Sequence, residues 1–260
     1  MKDKTIVVWF SCGAASAIAL KRTIDKYGAD NTIRAVNNPV AEEDPDNKRF
    51  LKDVSDWLSI KVESAINPKW PNCSAVEVWE KRSYMAGING APCTTELKKK
   101  ARQHWESQNT WDYLVLGFTV EEKTRHSNFV LTERENLLPV LIEDGLTKKD
   151  CLDILLDAGI QPPAMYSRGY PNANCIGCVK ATSPTYWNLV RRDRPDIFAK
   201  RAEQSKRIGA RLVRVDDERI FLDDLDPKAT GNKIQSFECG SFCEERQPSL
   251  FYGVSAEASA

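Results

Sequence analysis

The run TIVVWF, residues 5–10, is apolar throughout, with no polar alternation. A strand apolar on both sides belongs inside a parallel sheet covered on both faces. Residues 14–26 are alanine-rich and suit a helix, and TIRAV at 32–36 reads as a second strand. Phe50, Leu51, Val54, Trp57 and Leu58 recur at helical spacing, and IKVE at 60–63 follows as a short strand. YLVLGF at 113–118 and LLPVLI at 137–142 are two further apolar runs of strand length. Strands alternating with helices predict an α/β fold with a doubly wound, mostly parallel sheet.

The texture changes after residue 145. Thr147 and Asp150 have capping-box spacing ahead of CLDILLDAGI. A loop rich in Pro, Gly and Asn spans 161–174, helical stretches follow near 184–193 and 196–208, and a hairpin-like segment comes next. This pattern divides the chain into a nucleotide-binding core, 1–145, and a helical, cysteine-bearing extension, 146–260, folded over the mouth of the sheet.

Acids and bases balance at 37 each over 260 residues, so no global charge marks the chain as a nucleic-acid binder. No run approaches the roughly 18 apolar residues of a membrane span. The first residues, MKDKTIVVWFSCG, lack the form of a secretion signal, so a cytoplasmic location and no membrane partner are expected. In that compartment the eight cysteines call for a reading other than disulfides. With only His104 and His126 as imidazoles, any soft-metal site rests on thiolates.

SCGAAS, 11–16, joins the first strand to the first helix. Such a junction presents backbone N–H groups and a helix dipole to an anion. Ser11, Gly13, Ala14 and Ser16 are small enough for close approach, and a plain structural turn is the competing reading. A Walker loop and a dinucleotide fingerprint are both excluded, for want of Gly-Lys-Ser/Thr and of G-x-G-x-x-G. Cys12 beside a helix N-terminus would gain thiolate character, although a small loop residue is all the position requires.

The loop resembles the modified P-loop of the adenine-nucleotide α-hydrolase-like (HUP-type, PP-loop) superfamily, Ser-Gly-Gly-x-Asp-Ser. Ser11, Gly13 and Ser16 match, Cys12 replaces a glycine and Ala15 replaces the aspartate. EEDPDNKRF (42–50), LGFTVEEKTRHSNF (116–129, a Gly-x-x-x-x-Glu-x-x-Arg segment from Gly117 through Glu122 to Arg125) and ECG (238–240) are similar to segments of PAPS reductase-family proteins, notably the phage and mobile-element type. The resemblance covers roughly 5–245. It implies a bound adenine nucleotide (PAPS, APS or ATP), held by Ser11, Cys12, Gly13, Ala14, Ser16, Gly117 and Arg125. The missing loop aspartate argues against ordinary metal-assisted ATP cleavage and suits relatives that bind adenylyl sulfate.

Cys175 and Cys178 form a C-x-x-C, Cys239 and Cys243 a C-x-x-x-C, and Cys93 precedes a basic stretch. Clustered pairs distant in sequence can join in a four-thiolate site, for which zinc and iron–sulfur are rivals that spacing does not separate. Family resemblance favours a [4Fe–4S] cluster on Cys93, Cys175 and Cys178, with Cys239 or Cys243 as fourth ligand. The same resemblance offers Cys239 as a mobile nucleophile that attacks sulfur. Ser241 and Phe242, standing where the reductase tail continues to a histidine, weaken that role. Cys73 and Cys151 read as structural thiols.

Lys98, Lys99, Lys100 and Arg102 either form a solvated helix face or point at an anion. Arg125 suits a bidentate phosphate or sulfate clamp, with Glu122 orienting it, and Lys180 follows the C-x-x-C closely enough to act there. Tyr186, Trp187, Arg191, Arg192 and Arg194 divide into a core aromatic and a solvated basic face, with nucleic-acid binding as the other reading. Three functions remain open. The first is reduction of adenylyl sulfate to sulfite with a thioredoxin-like reductant, through Cys239, Arg125 and Lys180. The second is ATP-dependent sulfur transfer from a sulfur donor to a nucleic acid. The third is a non-catalytic, zinc-stapled nucleotide-binding module.

Overall fold

The structure is a computed structural model that describes residues 1–87 and 90–231. In chain order its elements are β1 (Thr5–Trp9), α1 (Ala14–Tyr27), β2 (Thr32–Asn37), α2 (Asp46–Trp57), β3 (Val62–Ser64) and α3 (Ala75–Arg82). A π-helical turn, Thr94–Lys99, then runs into α4 (Lys100–Ser107), followed by β4 (Tyr113–Val115), α5 (Lys123–Thr132), β5 (Leu137–Leu138) and α6 (Val140–Glu143). The later elements are α7 (Lys148–Asp157), α8 (Ala164–Ser167), α9 (Pro184–Asp193), α10 (Pro195–Ile208) and the antiparallel pair β6 (Val213–Val215) and β7 (Glu218–Ile220).

The five-stranded sheet has the order β3-β2-β1-β4-β5, and every pairing in it is parallel. Alternate β1 residues face opposite layers. Ile6, Val8 and Phe10 pack with α1, α2 and α7, whereas Val7 and Trp9 pack with Trp105 of α4 and Phe129 of α5. This two-sided burial explains the unbroken apolar run and makes the fold a doubly wound α/β sheet. The chain leaves β1 toward β2 on one side and returns to β4 on the other. The strand order therefore reverses between β1 and β4, where open α/β sheets bind ligands.

Three expected strands are shorter or displaced. LLPVLI gives a strand only at 137–138, because Pro139 offers no N–H to the ladder and starts α6 instead. YLVLGF pairs only through Val115 before Phe118 N–H turns back onto the Leu116 carbonyl at 2.8 Å. The strand expected at 60–63 lies at 62–64. The Thr147–Asp150 capping box forms as expected, with Thr147 Oγ1 accepting from the Asp150 N–H at 3.1 Å. The helix it opens, α7, packs on α1 within the sheet's own layer.

A second core lies beyond the sheet. It joins Val40, Trp70, Trp79, Met85 and Leu97 from the first half to Cys175, Cys178, Trp187, Phe198 and Leu222 from the second. The acidic segment 42–46 connects the two cores. Glu42 accepts the N–H groups of Ala75 (2.7 Å) and Val76 (3.2 Å) at the start of α3, and Asp44 pairs with Arg168. Asp46 takes Arg49 (2.6 and 2.8 Å) and the N–H of Ala164 (2.7 Å).

Arg49 beside Asp46 holds its carboxyl below the usual aspartate value, assisted by the Ala164 N–H. A depressed folded-state pKa stabilises above the unfolded value of about 3.9 and is lost as pH falls through the folded one. The protection factor of the Ala164 amide, from NMR exchange rates divided by the intrinsic rate at each pH, is expected to fall as pH drops below that range. Asp46→Asn should show the faster exchange already at neutral pH.

Candidate functional site

A cleft with a cavity volume of about 230 Å³ opens at the β1/β4 switch point. The loop after β1, the loop after β4, the π-helical turn and the segment 171–174 all line it.

The first loop is built around Ser16. Its Oγ accepts the N–H of Ser11 and of Gly13, each at 3.2 Å, and donates to the Gly13 carbonyl at 2.9 Å. The Ser11 hydroxyl lies 3.3 Å from it. The first intrahelical bond of α1 is Ala17 N–H to the Gly13 carbonyl, so Ala14, Ala15 and Ser16 are the turn whose N–H groups a helix start presents. Ala14 N–H reaches Tyr166 Oη at 3.3 Å. Tyr166, in α8, is a cleft residue that the sequence reading did not single out.

Cys12 has φ +58°, a left-handed backbone at the position where the similar motif carries glycine. Its side chain is buried in the α1 layer, with Asn37 Nδ2 3.6 Å from the sulfur. Burial, together with the nearby Glu43 carboxylate, pushes the thiol well above its ordinary value. The expectation that the helix N-terminus favours a Cys12 thiolate is thus not met, because desolvation outweighs the dipole. Cys151 is a buried core thiol, raised to about 12 chiefly by burial.

Gly117 lies against the start of α1. A Cβ there would fall 2.8 Å from Ser16 N and 2.9 Å from the Ala15 carbonyl carbon, both backbone atoms. This contact closes the β4 loop onto the β1 loop, and it explains why the strand ends before Gly117.

Three cations reach the cleft: Lys98, Arg125 and Lys148, with Glu122 as a carboxylate among them. Arg125 pairs with Glu122 at 3.0 Å and stands over the Phe118 ring at 4.9 Å. Of the basic stretch after Cys93, Lys98 lines the cleft. It is buried and paired with Glu43 Oε1 at 3.3 Å. Lys100 instead bonds Glu96 at 2.9 Å, and Arg102 is buried 4.0 Å from Glu133. Spacing did not reveal this division, because the turn at 94–99 is π-helical, with Lys100 N–H bonded to the Thr95 carbonyl. Lys148, in the first turn of α7, was also missed; its only signal was adjacency to the capping box.

The cleft wall at 171–174 leads into the C-x-x-C turn, whose cysteines do not themselves line the cleft. Cys175 pairs with Glu43 in an antiparallel bridge, and Ile176 N–H donates to the Glu42 carbonyl at 3.2 Å. Gly177 takes φ +67° between Cys175 and Cys178, and the buried Tyr186 hydroxyl accepts the Cys178 N–H at 2.9 Å. Cys93 precedes the π-helical turn and packs against the same core as Cys175 and Cys178. All three thiols lie within electrostatic reach of one buried guanidinium, Arg201. Arg201 Nε has no hydrogen-bond partner among the described residues. Among the described residues, no three Cys, His, Asp or Glu side chains converge on one ion. Cys239 and Cys243, the expected fourth ligand and nucleophile, lie outside the described residues.

Lys180 is half-buried on the turn after Cys178 and is not among the residues lining the cleft. Tyr186 and Trp187 are core residues. Arg191 donates to the Leu225 carbonyl at 2.8 Å, and Arg194 pairs with Asp196 at 3.2 Å, so two of the three arginines serve local structure.

Gly117→Ala is expected to separate the two loops and weaken pyrophosphate binding at least tenfold, as read by calorimetry, while leaving the far-ultraviolet spectrum unchanged. Lys98→Met would leave Glu43 buried without its cation, a loss of about 3–5 kcal/mol of stability by urea unfolding.

No protein-family model matches the chain, and no curated protein matches its sequence. Among the described residues, no helix is long and apolar enough to cross a membrane. Among solved structures, the chain is similar to the U34-tRNA thiolase NcsA from Methanococcus maripaludis with its [4Fe-4S] cluster, at 10% identity over 93% of this chain and 80% of that one, with a TM-score of 0.46. A similarity that distant carries no functional weight, and the fold class rests on the strand order and the two covered faces of the sheet.

Proposed function

We propose that the protein is an adenine-nucleotide-dependent sulfur-transfer enzyme. The observation that carries this reading is the cleft at the strand reversal, where a small-residue helix start and three cations stand on one side of a buried cysteine turn. Trp9, Val36, Leu116 and Phe118 offer apolar surface for a base, and the 11–16 loop with Lys98, Arg125 and Lys148 suits its phosphates.

Ala15 takes the place of a metal-binding carboxylate, so charge neutralisation at the phosphates falls to the cations. Arg125, held by Glu122, acts as a fixed fork. Lys98, desolvated against Glu43, acts as a buried point charge whose effect on a leaving pyrophosphate is larger than in water. In this reading the nucleotide activates an acceptor such as a nucleic-acid base, and a sulfur donor supplies the sulfur. The resemblance implies a [4Fe–4S] cluster on Cys93, Cys175 and Cys178, but these side chains, as placed among the described residues, do not converge to hold one. Cys175 and Cys178 are held in a buried turn by Tyr186 and the Glu43 bridge, a setting that suits fixed ligands better than mobile nucleophiles.

The second reading, reduction of adenylyl sulfate, is favoured by one observation: the cleft lacks the loop carboxylate that ATP pyrophosphatases use. The two readings separate by ligand. Calorimetry is expected to show ATP binding at least tenfold tighter than adenylyl sulfate or its 3′-phosphate, with Arg125→Ala weakening ATP by a further tenfold or more. Anaerobic turnover should consume ATP only with a nucleic-acid acceptor and sulfide. Preferred binding of adenylyl sulfate, with sulfite released, would establish the reductase instead. Nucleotide binding with neither turnover would leave the non-catalytic module.

A further inference from the structure

Tyr166 reaches the first loop from 152 residues away in sequence, and its hydroxyl accepts the Ala14 N–H at 3.3 Å. It belongs to α8, which is pinned to α2. Asp46 accepts the N–H of Ala164 at 2.7 Å, and Arg49 donates to the carbonyls of Gln161 (3.0 Å) and Pro162 (3.2 Å). The Tyr166 ring packs into the α1 layer of the core. These contacts give the hydroxyl a set position. A Cβ placed on Gly13 would stand 3.5 Å from Tyr166 Oη, 3.8 Å from Ser11 Oγ and 4.0 Å from Ser16 Oγ. Three hydroxyls therefore surround one space over Gly13, wide enough for a further heavy atom. All four residues line the cleft.

Two of those hydroxyls have committed protons. Ser11 Oγ donates to Ser16 Oγ at 3.3 Å, and Ser16 Oγ donates to the Gly13 carbonyl at 2.9 Å. The N–H groups of Ser11 and Gly13 are likewise taken, both by Ser16 Oγ. A hydroxyl that accepts keeps its own proton to give, and nothing among the described residues takes that of Tyr166. Burial raises the phenol above its ordinary value and keeps it protonated. An anion entering over Gly13 thus meets an uncommitted O–H, in the same cleft that Lys98, Arg125 and Lys148 line. We infer that Tyr166 donates this O–H to a phosphoryl oxygen of the bound nucleotide, so that α8, outside the loop motif, supplies part of the phosphate grip. The inference rests on the nucleotide reading above. Tyr166 is a positioning residue: it holds the phosphate and takes no part in bond making.

The test is calorimetry on the full chain with three probes: inorganic pyrophosphate, ATP and adenosine. Tyr166→Phe keeps the ring and removes only the hydroxyl. It is expected to weaken pyrophosphate and ATP about tenfold or more, the worth of one hydrogen bond to a charged group, and to leave adenosine unchanged. Gly13→Ala probes the same space without altering Tyr166. Gly13 has φ −101°, which alanine adopts freely, so this variant should fold. Its methyl fills the space over Gly13, and pyrophosphate binding is expected to fall by a similar factor. Unchanged or tighter pyrophosphate binding in Tyr166→Phe overturns the inference, the tighter result marking the hydroxyl as an obstruction. An equal loss of adenosine overturns it too, because Tyr166 would then be only a wall of the cleft. If Tyr166→Phe does not fold, native pyrophosphate affinity in Gly13→Ala overturns it. In each of these cases ATP binding by the native chain leaves the nucleotide reading standing. A native chain that binds neither ATP nor pyrophosphate overturns both.

Discussion

The ion pair between Lys98 and Glu43 is the contact on which both halves of the site depend. Both side chains are buried, and they meet at 3.3 Å. Lys98 lines the cleft at the sheet edge. Glu43 shares its backbone with the bridge to Cys175. One buried contact therefore ties the π-helical turn at the cleft to the segment bridged to Cys175. Burial raises the Glu43 carboxyl while Lys98 pulls it down, and Asn47 Nδ2, 3.4 Å away, assists. A pair desolvated to this degree is poor value for stability alone. Its retention is better explained by what it positions.

The neighbouring acids extend the same logic. Glu42 caps α3, Asp44 holds Arg168, and Asp46 holds Arg49 and the N–H of Ala164. Five residues of sequence thus connect the sheet, α3 and the segment 164–175 that lines the cleft. Glu42, Asp44 and Asp46 are committed outside the cleft, which Lys98, Arg125 and Lys148 line together with Glu122.

Much of the sheet was legible in the sequence, because a strand buried on two faces shows as an unbroken apolar run. TIVVWF and YLVLGF were read correctly as strands for this reason, although the second is cut short by the approach of Gly117 to α1. LLPVLI misled because its apolar run continues past Pro139, where the ladder cannot. α5 carried no periodic signal: it buries only Phe129, and its start is fixed by the Thr119–Glu122 box. Ser11, Gly13, Ser16, Gly117 and Arg125 were singled out from short motifs and all line the cleft. Lys148, Tyr166 and Arg201 were not, because each reaches its place across the fold. The inward turn of Lys98 alone among the lysines at 98–100 depends on π-helical backbone that side-chain spacing does not encode.

The most direct test is amide hydrogen exchange across the full chain with and without ATP. Because Lys98 and Glu43 connect the cleft to the cysteine turn, nucleotide binding is expected to slow exchange at 11–16 and, in the same titration, at 173–178. Protection confined to 11–16 would contradict the coupling of the two halves, and protection at neither would contradict the nucleotide site itself.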